Sequence, residues 1–595
     1  MIVYVGRITD TVMSGRSRRN EKGGLGVAKV IFRLALLLVT LFFVWQAFGT
    51  RLFGRWLPST EKKDLNEWFE VNGDEVRIYR DGIMEQERKG LSRGDSIYLP
   101  YEYVRDELNS RFFLNDDRTI SMTLPDEQLV FDDESTEDGS PVLLTEDGAQ
   151  YVLLDTVEKY TNLTHTGFIG EDAAAGRVFL YTGGSSVTRA ELKGKARVRT
   201  RTTQTAPILT ECPKGSTVIV YETLEEWSRV CTEDGLTGYI PNGLLGDTTT
   251  DVLPDTWAMP KTAFTLLNEK VVMAWHGVYN PAGNDSLDSY LANTGGAVNV
   301  ISPTWMQIRS ADGEYENYAS HEYVEKAHAA GLKVWAAIDN FNQSGGLTEF
   351  NTGVFFSNRK NRAGFIERLM QDAAASGIDG INLDFEGISA DSGPAFVEMV
   401  RELSVACHKQ GLVLSVDNYV PYTYNSHYEL GEQALYADYV VIMCYDEHTG
   451  KDVGSVSSLP WLSNGIMQAL EQVPAGQLIG AVPFYTRCWR ISGDEVRSEA
   501  MGMRDADQLV AAEEVPLAWD DQSGQFYGEK TAGNETLKIW MEDLQSLTMK
   551  SDLLKSLELG GIAAWRLGYE PAEVWPVLDW NSDSTTAASD VNETE

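Results

Sequence analysis

Cysteine is scarce in this sequence of 595 residues: it contains five cysteines, and the first of them is Cys212. So few cysteines exclude a scaffold built on disulfides. Basic residues are also in the minority, with 50 lysines and arginines against 88 acidic residues and a formal net charge of −38. Because such a surface repels phosphate backbones, general nucleic-acid binding is excluded. The hydrophobic content of 43% still allows sizeable cores, and the length predicts about three to five domains.

A basic N-terminal segment precedes a largely apolar run. Residues 1–33 contain seven basic and two acidic residues, and the apolar run is Leu34–Phe48. At ~1.5 Å per residue this run is short for a ~30 Å hydrocarbon core, but flanking apolar residues can extend it. Residues 1–57 are therefore predicted to form a cytoplasmic segment and a single-pass membrane anchor, with the rest of the chain extracellular. A cleaved signal peptide, giving a secreted protein, is the alternative, although no clear small-x-small cleavage site follows the run.

Residues 58–188 contain short strand-like segments separated by turns, which predicts a β-rich module. Two stretches, Ile97–Leu108 and Tyr151–Tyr160, form a weak repeat in which a short strand runs into one or two helical turns. The region resembles the copper amine oxidase N-terminal-like domain of bacterial exported proteins. No histidine or cysteine occurs between residues 60 and 160, so good copper ligands are lacking. A structural spacer or a wall-contacting module is expected.

Residues 189–250 combine closely spaced strands with recognisable turns. The landmarks are two turns, a strand that opens on tryptophan and a last short strand: Pro213-Lys214-Gly215, Asp234-Gly235, Glu226-Trp227 and Gly238-Tyr239-Ile240. The pattern resembles that of a bacterial SH3-like domain, and the resemblance implies binding of cell-wall peptides. A spacer without a ligand is the alternative. Cys212 and Cys231 both lie in this module and could pair, which the sequence leaves open.

Residues 251–580 alternate apolar strands with amphipathic helices, and glycine repeatedly stands between a helix and the next strand. Eight such strands are predicted to begin at Val271, Ala297, Lys333, Gly380, Leu412, Tyr439, Leu478 and Gly561. Eight strand–helix units in one domain indicate an α/β fold, the (β/α)8 TIM barrel. The long gap before the last strand predicts an insertion at about 489–545. The polar, acidic tail of residues 581–595 is expected to be disordered.

The fourth predicted strand ends in Asp379-Gly-Ile-Asn382-Leu-Asp384-Phe-Glu386. Alternation along a strand places Asn382, Asp384 and Glu386 on one face, at the carboxyl end where TIM barrels carry their chemistry. Two carboxylates that point into a barrel repel each other. This repulsion raises one pKa, as a general acid requires at neutral pH. An isolated Asp-x-Glu is more often a solvated strand end, so this interpretation depends on further motifs.

The octapeptide resembles the D-G-x-D-x-D-x-E signature of glycoside hydrolase family 18, the chitinase-like family. Three more segments at later strand ends are similar to family motifs: Met443-Cys444-Tyr445-Asp446, Pro483-Phe484-Tyr485 and Trp565. The resemblance covers most of residues 265–580. It implies a TIM-barrel glycosidase that needs neither a metal nor another cofactor.

The resemblance also implies roles for individual residues. Glu386 would protonate the glycosidic oxygen, while the substrate's own N-acetyl carbonyl attacks the anomeric carbon. Asp384 would hold the acetamido N–H and support the oxazolinium charge, and Tyr445 would donate to the acetamido oxygen. Trp565 would stack under the sugar ring. Further substrate contacts are expected from Asn382, Asp379, Asp446, Tyr485 and Trp275.

Asn382 departs from the family pattern, because chitinases usually have aspartate at this position. An amide cannot store a proton, but its N–H₂ group can still donate, and Asp384 is the expected acceptor. One negative charge fewer should also let Asp384 ionise more readily. The same asparagine is similar to that of the spore-cortex and peptidoglycan-acting branch of the family. Retuned activity is expected here, with a shifted pH profile in Asn382→Asp.

Other aromatic residues at strand ends either line sugar subsites or belong to the core, and the sequence leaves both interpretations open: Trp275, Trp305, Tyr419 and Trp489. His448 is expected to be a loop residue. The leading hypothesis is an extracellular, membrane-anchored glycosidase that cleaves β-1,4 bonds of N-acetylglucosamine-containing polymers, chiefly peptidoglycan. A chitinase, an endo-N-acetylglucosaminidase acting on N-glycans and a non-catalytic sugar-binding wall protein are the alternatives.

Overall fold

The structure is a computed structural model that describes residues 30, 33–40, 58–170, 175–341 and 352–582. Most of the predicted membrane anchor lies outside these ranges, as do residues 583–595 of the predicted acidic tail. Across the ranges described, none of the helices combines the length and the apolar character needed to cross a bilayer.

The described chain forms two compact units that do not follow the predicted domain boundaries. Residues 58–95 and 163–255 belong to one unit, and residues 96–162 and 256–582 belong to the other. The predicted module of residues 58–188 is therefore divided between the two units.

The first unit is mainly β-structure and includes the short helix Leu65–Phe69. One group of strands runs in the order Leu163–Phe168, Arg177–Thr182, Glu75–Arg80, Ile83–Arg93. A seven-stranded sheet has the order Ile208–Cys212, Ala196–Arg199, Thr237–Pro241, Trp227–Thr232, Thr217–Thr223, Ser186–Leu192, Leu245–Val252. The predicted hairpin turn is confirmed, because Asp234-Gly235 joins two antiparallel strands and Gly235 has a φ of 67°. Cys212 and Cys231 do not pair: both are free and buried.

The strands of residues 96–162 in the second unit form three groups of paired strands. Strand Ser96–Pro100 continues into the helical turns Tyr101–Tyr103 and Val104–Leu108, and strand Ala149–Leu153 continues into helix Leu154–Lys159. This is the strand-to-helix repeat predicted from the sequence, and its two strands pair antiparallel. The remaining strands are Phe112–Leu114, Ile120–Thr123, Gln128–Phe131, Thr136–Glu137, Ser140–Pro141 and Leu143–Glu146.

The rest of the second unit is a closed parallel barrel. Its strands are β1 Val271–His276, β2 Val300–Pro303, β3 Lys333–Asp339, β4 Gly380–Asp384, β5 Val413–Tyr419, β6 Tyr439–Met443, β7 Leu478–Pro483 and β8 Gly561–Trp565. Each strand pairs in parallel with the next, β8 pairs with β1, and β2 pairs with β3, which closes the ring. The predicted TIM barrel is confirmed, and the predicted strand starts agree to within three residues.

Helices surround the barrel and bury one apolar side against it. They are Leu287–Thr294, His321–Ala329, Thr352–Ser357, Arg359–Ser376, Gly393–Lys409, Leu430–Gln433, Leu459–Leu470, Leu544–Ser556 and Trp575–Leu578. The helix before β4 shows how the sequence sets these boundaries. The Asn358 side chain accepts from the Asn361 N–H at its start, and Gly377 ends it with a φ of 78°. Buried Phe365 and Leu369, four residues apart, face the strands.

The predicted insertion before β8 is a separate sheet with one helix, Met503–Ala512. Its strands have the order Glu495–Gly502, Tyr485–Ser492, Glu535–Met541, Gln525–Ala532, Leu517–Asp520. A shorter hairpin, Met306–Ile308 with Tyr315–Asn317, follows β2. Both additions extend the rim at which the carboxyl ends of the barrel strands meet.

A buried ion pair anchors residues 96–162 to the barrel helices. The Arg362 guanidinium donates to both oxygens of Glu402, at 2.9 and 2.8 Å, and to the Asn115 side-chain oxygen at 2.8 Å. Thr123 donates to Glu398 on the same helix as Glu402. These contacts explain why residues 96–162 group with the barrel.

Candidate active site

A cavity of about 660 Å³ opens at the carboxyl ends of the barrel strands. Six of the nine site residues predicted from the sequence line it: Asp384, Glu386, Tyr445, Asp446, Tyr485 and Trp565. They come from the ends of β4, β6, β7 and β8, so distant segments converge as the TIM-barrel rule requires. The structure places the other three, Asn382, Asp379 and Trp275, elsewhere.

Glu386 is held by contacts from two neighbouring strands. The Asn340 side chain, just after β3, accepts from the Glu386 N–H at 2.9 Å and donates to the Glu386 carbonyl at 2.8 Å. The Tyr419 hydroxyl, at the end of β5, hydrogen-bonds to the Glu386 carboxyl. Burial raises the pKa of Glu386, an effect that this hydrogen bond partly offsets. A raised pKa favours the protonated form of the carboxyl, which is the form that a general acid needs.

Asp384 lies deeper in the barrel than Glu386. Burial is the largest cause of the strongly raised pKa of Asp384, followed by repulsion from Glu386, Asp417 and Asp339. Mutual repulsion between the two carboxylates of the motif was the predicted cause of one raised pKa. The structure adds burial as the stronger cause and identifies two carboxyls that the motif does not contain.

These two carboxyls flank Asp384 on the neighbouring strands. Asp339 lines the cavity, and burial raises its pKa to about 6. Its oxygens accept from the Phe341 N–H at 2.9 Å and from the Gln307 side chain at 3.4 Å. Asp417 on β5 is 2% exposed, and burial raises its pKa as well.

Asn382 does not donate to Asp384, which corrects the expectation from the sequence. Its N–H₂ group donates to the Ser415 hydroxyl at 3.0 Å and to Asp417 Oδ1 at 2.8 Å. The reason is the strand register, which pairs Asn382 with Ser415 on β5. Asn382 is fully buried below the cavity, so it supports the site from beneath and does not contact substrate. Burial and the flanking acids raise the pKa of Asp384, and the easier ionisation expected relative to an aspartate at position 382 stays a prediction.

Trp275 is likewise a supporting residue. It is 1% exposed, and its indole N–H donates to Asn382 Oδ1 at 2.8 Å. Its ring lies against Trp565, with centroids 5.7 Å apart. Trp565 lines the cavity, so Trp275 packs behind the ring that faces the cavity.

Trp275→Phe should lower kcat by about tenfold or less and leave KM unchanged. It removes one hydrogen bond from Asn382, worth ~0.5–1.5 kcal/mol, without altering the cavity surface. Steady-state kinetics measures both constants. Trp489→Phe is the matched control, because it removes a comparable hydrogen bond, to the Gly454 carbonyl, in the insertion. A raised KM with unchanged kcat would instead restore the predicted direct contact with sugar.

Tyr445 and Tyr485 form one wall of the cavity. Their ring centroids are 6.1 Å apart, and the Tyr485 hydroxyl donates to Asp446 Oδ1 at 2.7 Å. Burial raises the pKa of both tyrosines, so both hydroxyls keep their protons. The Tyr445 hydroxyl is therefore available as a donor toward the cavity.

Asp379 lies at the wrong end of β4 to touch substrate. It precedes the strand, whereas Asp384 ends it, and the five residues of β4 separate the two ends by ~16 Å. Asp379 accepts from Lys333 at 2.9 Å, from His328 at 2.7 Å and from the Val334 N–H at 2.9 Å. Burial acts to raise the pKa of Asp379, but these partners together outweigh it and lower the pKa. Asp379 stabilises the barrel at its amino end and is not a binding residue.

The remaining aromatic candidates separate into core and site. Trp305 and Trp489 are fully buried and hydrogen-bonded to Asn284 and Gly454, so neither lines the cavity. Tyr419 touches the site through Glu386. His448 lies in a loop as expected, where it contacts Asp452.

Sequence reasoning missed Asp339, Asn340 and Asp417. Asp339 and Asn340 stand at the carboxyl end of β3, and Asp417 lies two residues before the end of β5. The rule that led to Glu386 applies equally to these polar residues at the ends of apolar strands. Without a motif around them, the sequence offered no other signal.

The geometry above agrees with comparison against known protein families. The model for glycosyl hydrolases family 18 matches residues 270–570, about half of the chain. The chain belongs to this family. The family 18 segment contains the whole barrel and all the cavity residues named above, so this protein is a family 18 hydrolase. A bacterial SH3 domain matches residues 194–246, which confirms the predicted SH3-like module.

Curated relatives resemble this family 18 chain over part of its length. The uncharacterized glycosylase YvbX of Bacillus subtilis is 24% identical over 262 residues, covering 42% of this chain and 74% of that protein. The cortical fragment-lytic enzyme of Bacillus subtilis is 25% identical, covering 36% of this chain and 52% of the enzyme. Probable chitinase 10 of Drosophila melanogaster is 25% identical, with 42% of this chain and 12% of that protein covered. The chain thus spans between one eighth and three quarters of these relatives.

Solved structures include the spore cortex-lytic enzyme SleL of Bacillus cereus, with a TM-score of 0.48 and 18% identity over 56% of this chain and 76% of that one. A chitinase from Chromobacterium violaceum has a TM-score of 0.46 and 20% identity, covering 52% of this chain and 98% of that one.

Proposed function

We propose that this family 18 hydrolase cleaves β-1,4 bonds on the reducing side of N-acetylglucosamine in peptidoglycan, with retention of configuration. The observation that carries the proposal is the pairing of Glu386 and Asp384 in one cavity, each with a raised pKa, beside the Tyr445 hydroxyl. This set supplies an acid, a group for a developing cation and a donor for an acetamido oxygen.

In the proposed reaction Glu386 gives its proton to the glycosidic oxygen as the bond to the anomeric carbon breaks. The substrate's acetamido oxygen attacks that carbon, and Asp384 faces the acetamido nitrogen and the positive charge that develops there. Tyr445 donates to the acetamido oxygen, while Trp565 supports the sugar ring. Water then opens the oxazolinium, with Glu386 acting as the base. Tyr485 and Asp446 form a hydrogen-bonded pair positioned to contact sugar hydroxyls.

Two observations favour peptidoglycan as the polymer. Relatives of the barrel include proteins named for cortical fragment lysis. The same chain also carries a bacterial SH3 domain, which we propose binds a cell-wall peptide. The names of the chitinase relatives favour chitin as the second candidate. The retained Glu386 argues against a protein that only binds sugar.

The place of action is part of the proposal. The basic segment and the apolar run within residues 1–57 support an anchor that holds the enzyme at the outer face of the membrane. The copper amine oxidase N-terminal-like interpretation of residues 58–188 remains a prediction, in which this region spaces the barrel from the membrane or contacts the wall.

A panel of polymers tests the choice of substrate. The purified chain is incubated with peptidoglycan, chitin oligosaccharides and N-glycans, and soluble fragments are quantified by mass spectrometry. We expect the highest kcat/KM on peptidoglycan. Faster release from chitin or from N-glycans would overturn the choice of polymer. If Glu386→Gln released as many fragments as the wild type from every polymer, the proposed chemistry would be overturned.

A further inference from the structure

Three aspartates form a row across neighbouring barrel strands. The register of β3 and β4 pairs Asp339 with Asp384. The register of β4 and β5 pairs Leu383 with Val416, so its next step sets Asp384 beside Asp417. Neighbouring strands lie ~4.8 Å apart, and paired residues point to the same face. Asp384 therefore has one carboxyl neighbour on each side. Of the three aspartates, only Asp384 belongs to the sequence motif.

The two neighbours differ in how their oxygens are used. Both oxygens of Asp339 already accept hydrogen bonds, from Phe341 and Gln307. Asp417 accepts from Asn382 through Oδ1 only. Asp417 Oδ2 and Asp384 Oδ1 are both buried, and neither has a hydrogen-bond partner among the described residues. Two buried acceptors without donors, on adjacent positions of paired strands, are costly unless a proton lies between them.

The charges around the pair also favour one shared proton. Repulsion from Glu386 and Asp339 raises the pKa of Asp384, and repulsion from Glu386 raises the pKa of Asp417. Tyr445, which follows β6, interacts electrostatically with both aspartates. All these groups are acids, so each disfavours a second negative charge at the pair. Burial raises the pKa of both aspartates. Two adjacent carboxyls in such a site do not both ionise at neutral pH.

We propose that Asp417 and Asp384 share one proton between Asp417 Oδ2 and Asp384 Oδ1, and that this proton moves onto Asp417, leaving Asp384 ionised, as positive charge develops on the substrate. Asp417 is a positioning residue, since it acts through Asp384 and does not line the cavity. Asn382 cannot titrate, and its N–H₂ group fixes the other oxygen of Asp417. The carboxyl that could share a proton with Asp384 thus stands on β5 and not at position 382.

Each group in the site that gives up a proton during the proposed reaction has regained one by the end of the reaction. Glu386 transfers its proton to the leaving oxygen, the bond to the anomeric carbon breaks, and the acetamido oxygen forms the new bond. As positive charge develops on the oxazolinium, the shared proton moves fully onto Asp417 and leaves Asp384 as a carboxylate. When water opens the oxazolinium, Glu386 regains its proton, and the proton on Asp417 returns to its shared position.

Infrared spectroscopy of the chain with ¹³C-labelled aspartate side-chain carboxyls tests the shared proton directly. At pH 7 we expect a protonated aspartate band that disappears in Asp417→Asn. Asp339→Asn is the matched control and should keep the band, because the Asp339 pKa of about 6 leaves this group mostly ionised at pH 7. Absence of the band in the wild type, or its persistence in Asp417→Asn, would overturn the proposal. This readout needs no turnover, so it is independent of the choice of polymer.

Kinetics then separate proton sharing from simple packing. On a chitin tetrasaccharide, Asp417→Asn should lower kcat about tenfold, less than the ~10²–10⁴-fold of a direct acid, and should move the kcat–pH profile with little change in KM. The double variant Asn382→Asp/Asp417→Asn returns a carboxyl to the side of Asp384 and should recover most of the lost kcat. A wild-type kcat–pH profile in Asp417→Asn would contradict the role, even if its thermal stability fell.

Discussion

Glu386→Gln should lower kcat by ~10²–10⁴-fold, the range observed for loss of a general acid. The amide has the shape of the acid but cannot release a proton to the leaving oxygen. The Asn340 contacts to the Glu386 backbone do not involve the side chain, so the strand end should keep its geometry and KM should stay near the wild-type value. Initial rates on a chitin oligosaccharide and on peptidoglycan measure the effect.

Glu471→Gln is the matched control for this prediction. Glu471 follows helix Leu459–Leu470 and is exposed outside the catalytic cavity, so the same change of charge there should leave kcat unaltered. Turnover of Glu386→Gln within tenfold of the wild type would show that another group protonates the leaving oxygen.

Arg362→Met should destabilise the second compact unit by ~3–5 kcal/mol, as expected when one member of a buried ion pair is removed. Arg362 is fully buried, and its loss leaves the Glu402 carboxylate, only 3% exposed, without its cation. Asn115 also loses the donor that connects residues 96–162 to the barrel helix. Urea denaturation followed by tryptophan fluorescence measures the change in the free energy of unfolding.

Arg359→Met tests the same two segments with an exposed pair. Arg359 contacts Asp117 at 3.0 Å, and both side chains are more than a quarter exposed. Its loss should change the free energy of unfolding by less than ~1 kcal/mol, because solvent screens such pairs. Equal effects of the two substitutions would mean that the buried network does not hold residues 96–162 in place.

The barrel could be predicted from the sequence because its signals are local. Strands β1, β3, β4, β6, β7 and β8 begin where the apolar segments predicted them, and Gly377 ends the helix before β4. The rule that TIM barrels carry their chemistry at the carboxyl ends of the strands also predicted cavity residues such as Glu386 and Tyr445. It works because the end of a strand determines which rim of the barrel a side chain reaches.

Lateral neighbours could not be predicted in this way. Which groups accept hydrogen bonds from the Asn382 side chain depends on the register between β4 and β5. This register is set by the closed barrel and not by the motif. Trp275 follows the rule for a site residue, yet it is 1% exposed and packs against Trp565. Asp379 belongs to the family motif but stands at the amino end of β4, where Lys333 and His328 bind it.

The predicted module of residues 58–188 is divided between the two compact units for a related reason. Residues 96–162 have the composition of an independent β module, but their buried polar side chains bond to barrel helices more than 200 residues away, as Thr123 does with Glu398. Such long-range pairs leave no periodic signal in the sequence. Domain boundaries drawn from composition alone therefore divide residues that the fold brings together.

The new reducing end of each product tests the central claim most directly. Peptidoglycan is digested with the wild-type chain, the products are reduced with borohydride, and their terminal sugar alcohols are identified by mass spectrometry. Cleavage on the reducing side of N-acetylglucosamine predicts N-acetylglucosaminitol, absent from a parallel Glu386→Gln digest. Products that end in N-acetylmuramitol, or equal amounts of N-acetylglucosaminitol from the variant, would contradict the account.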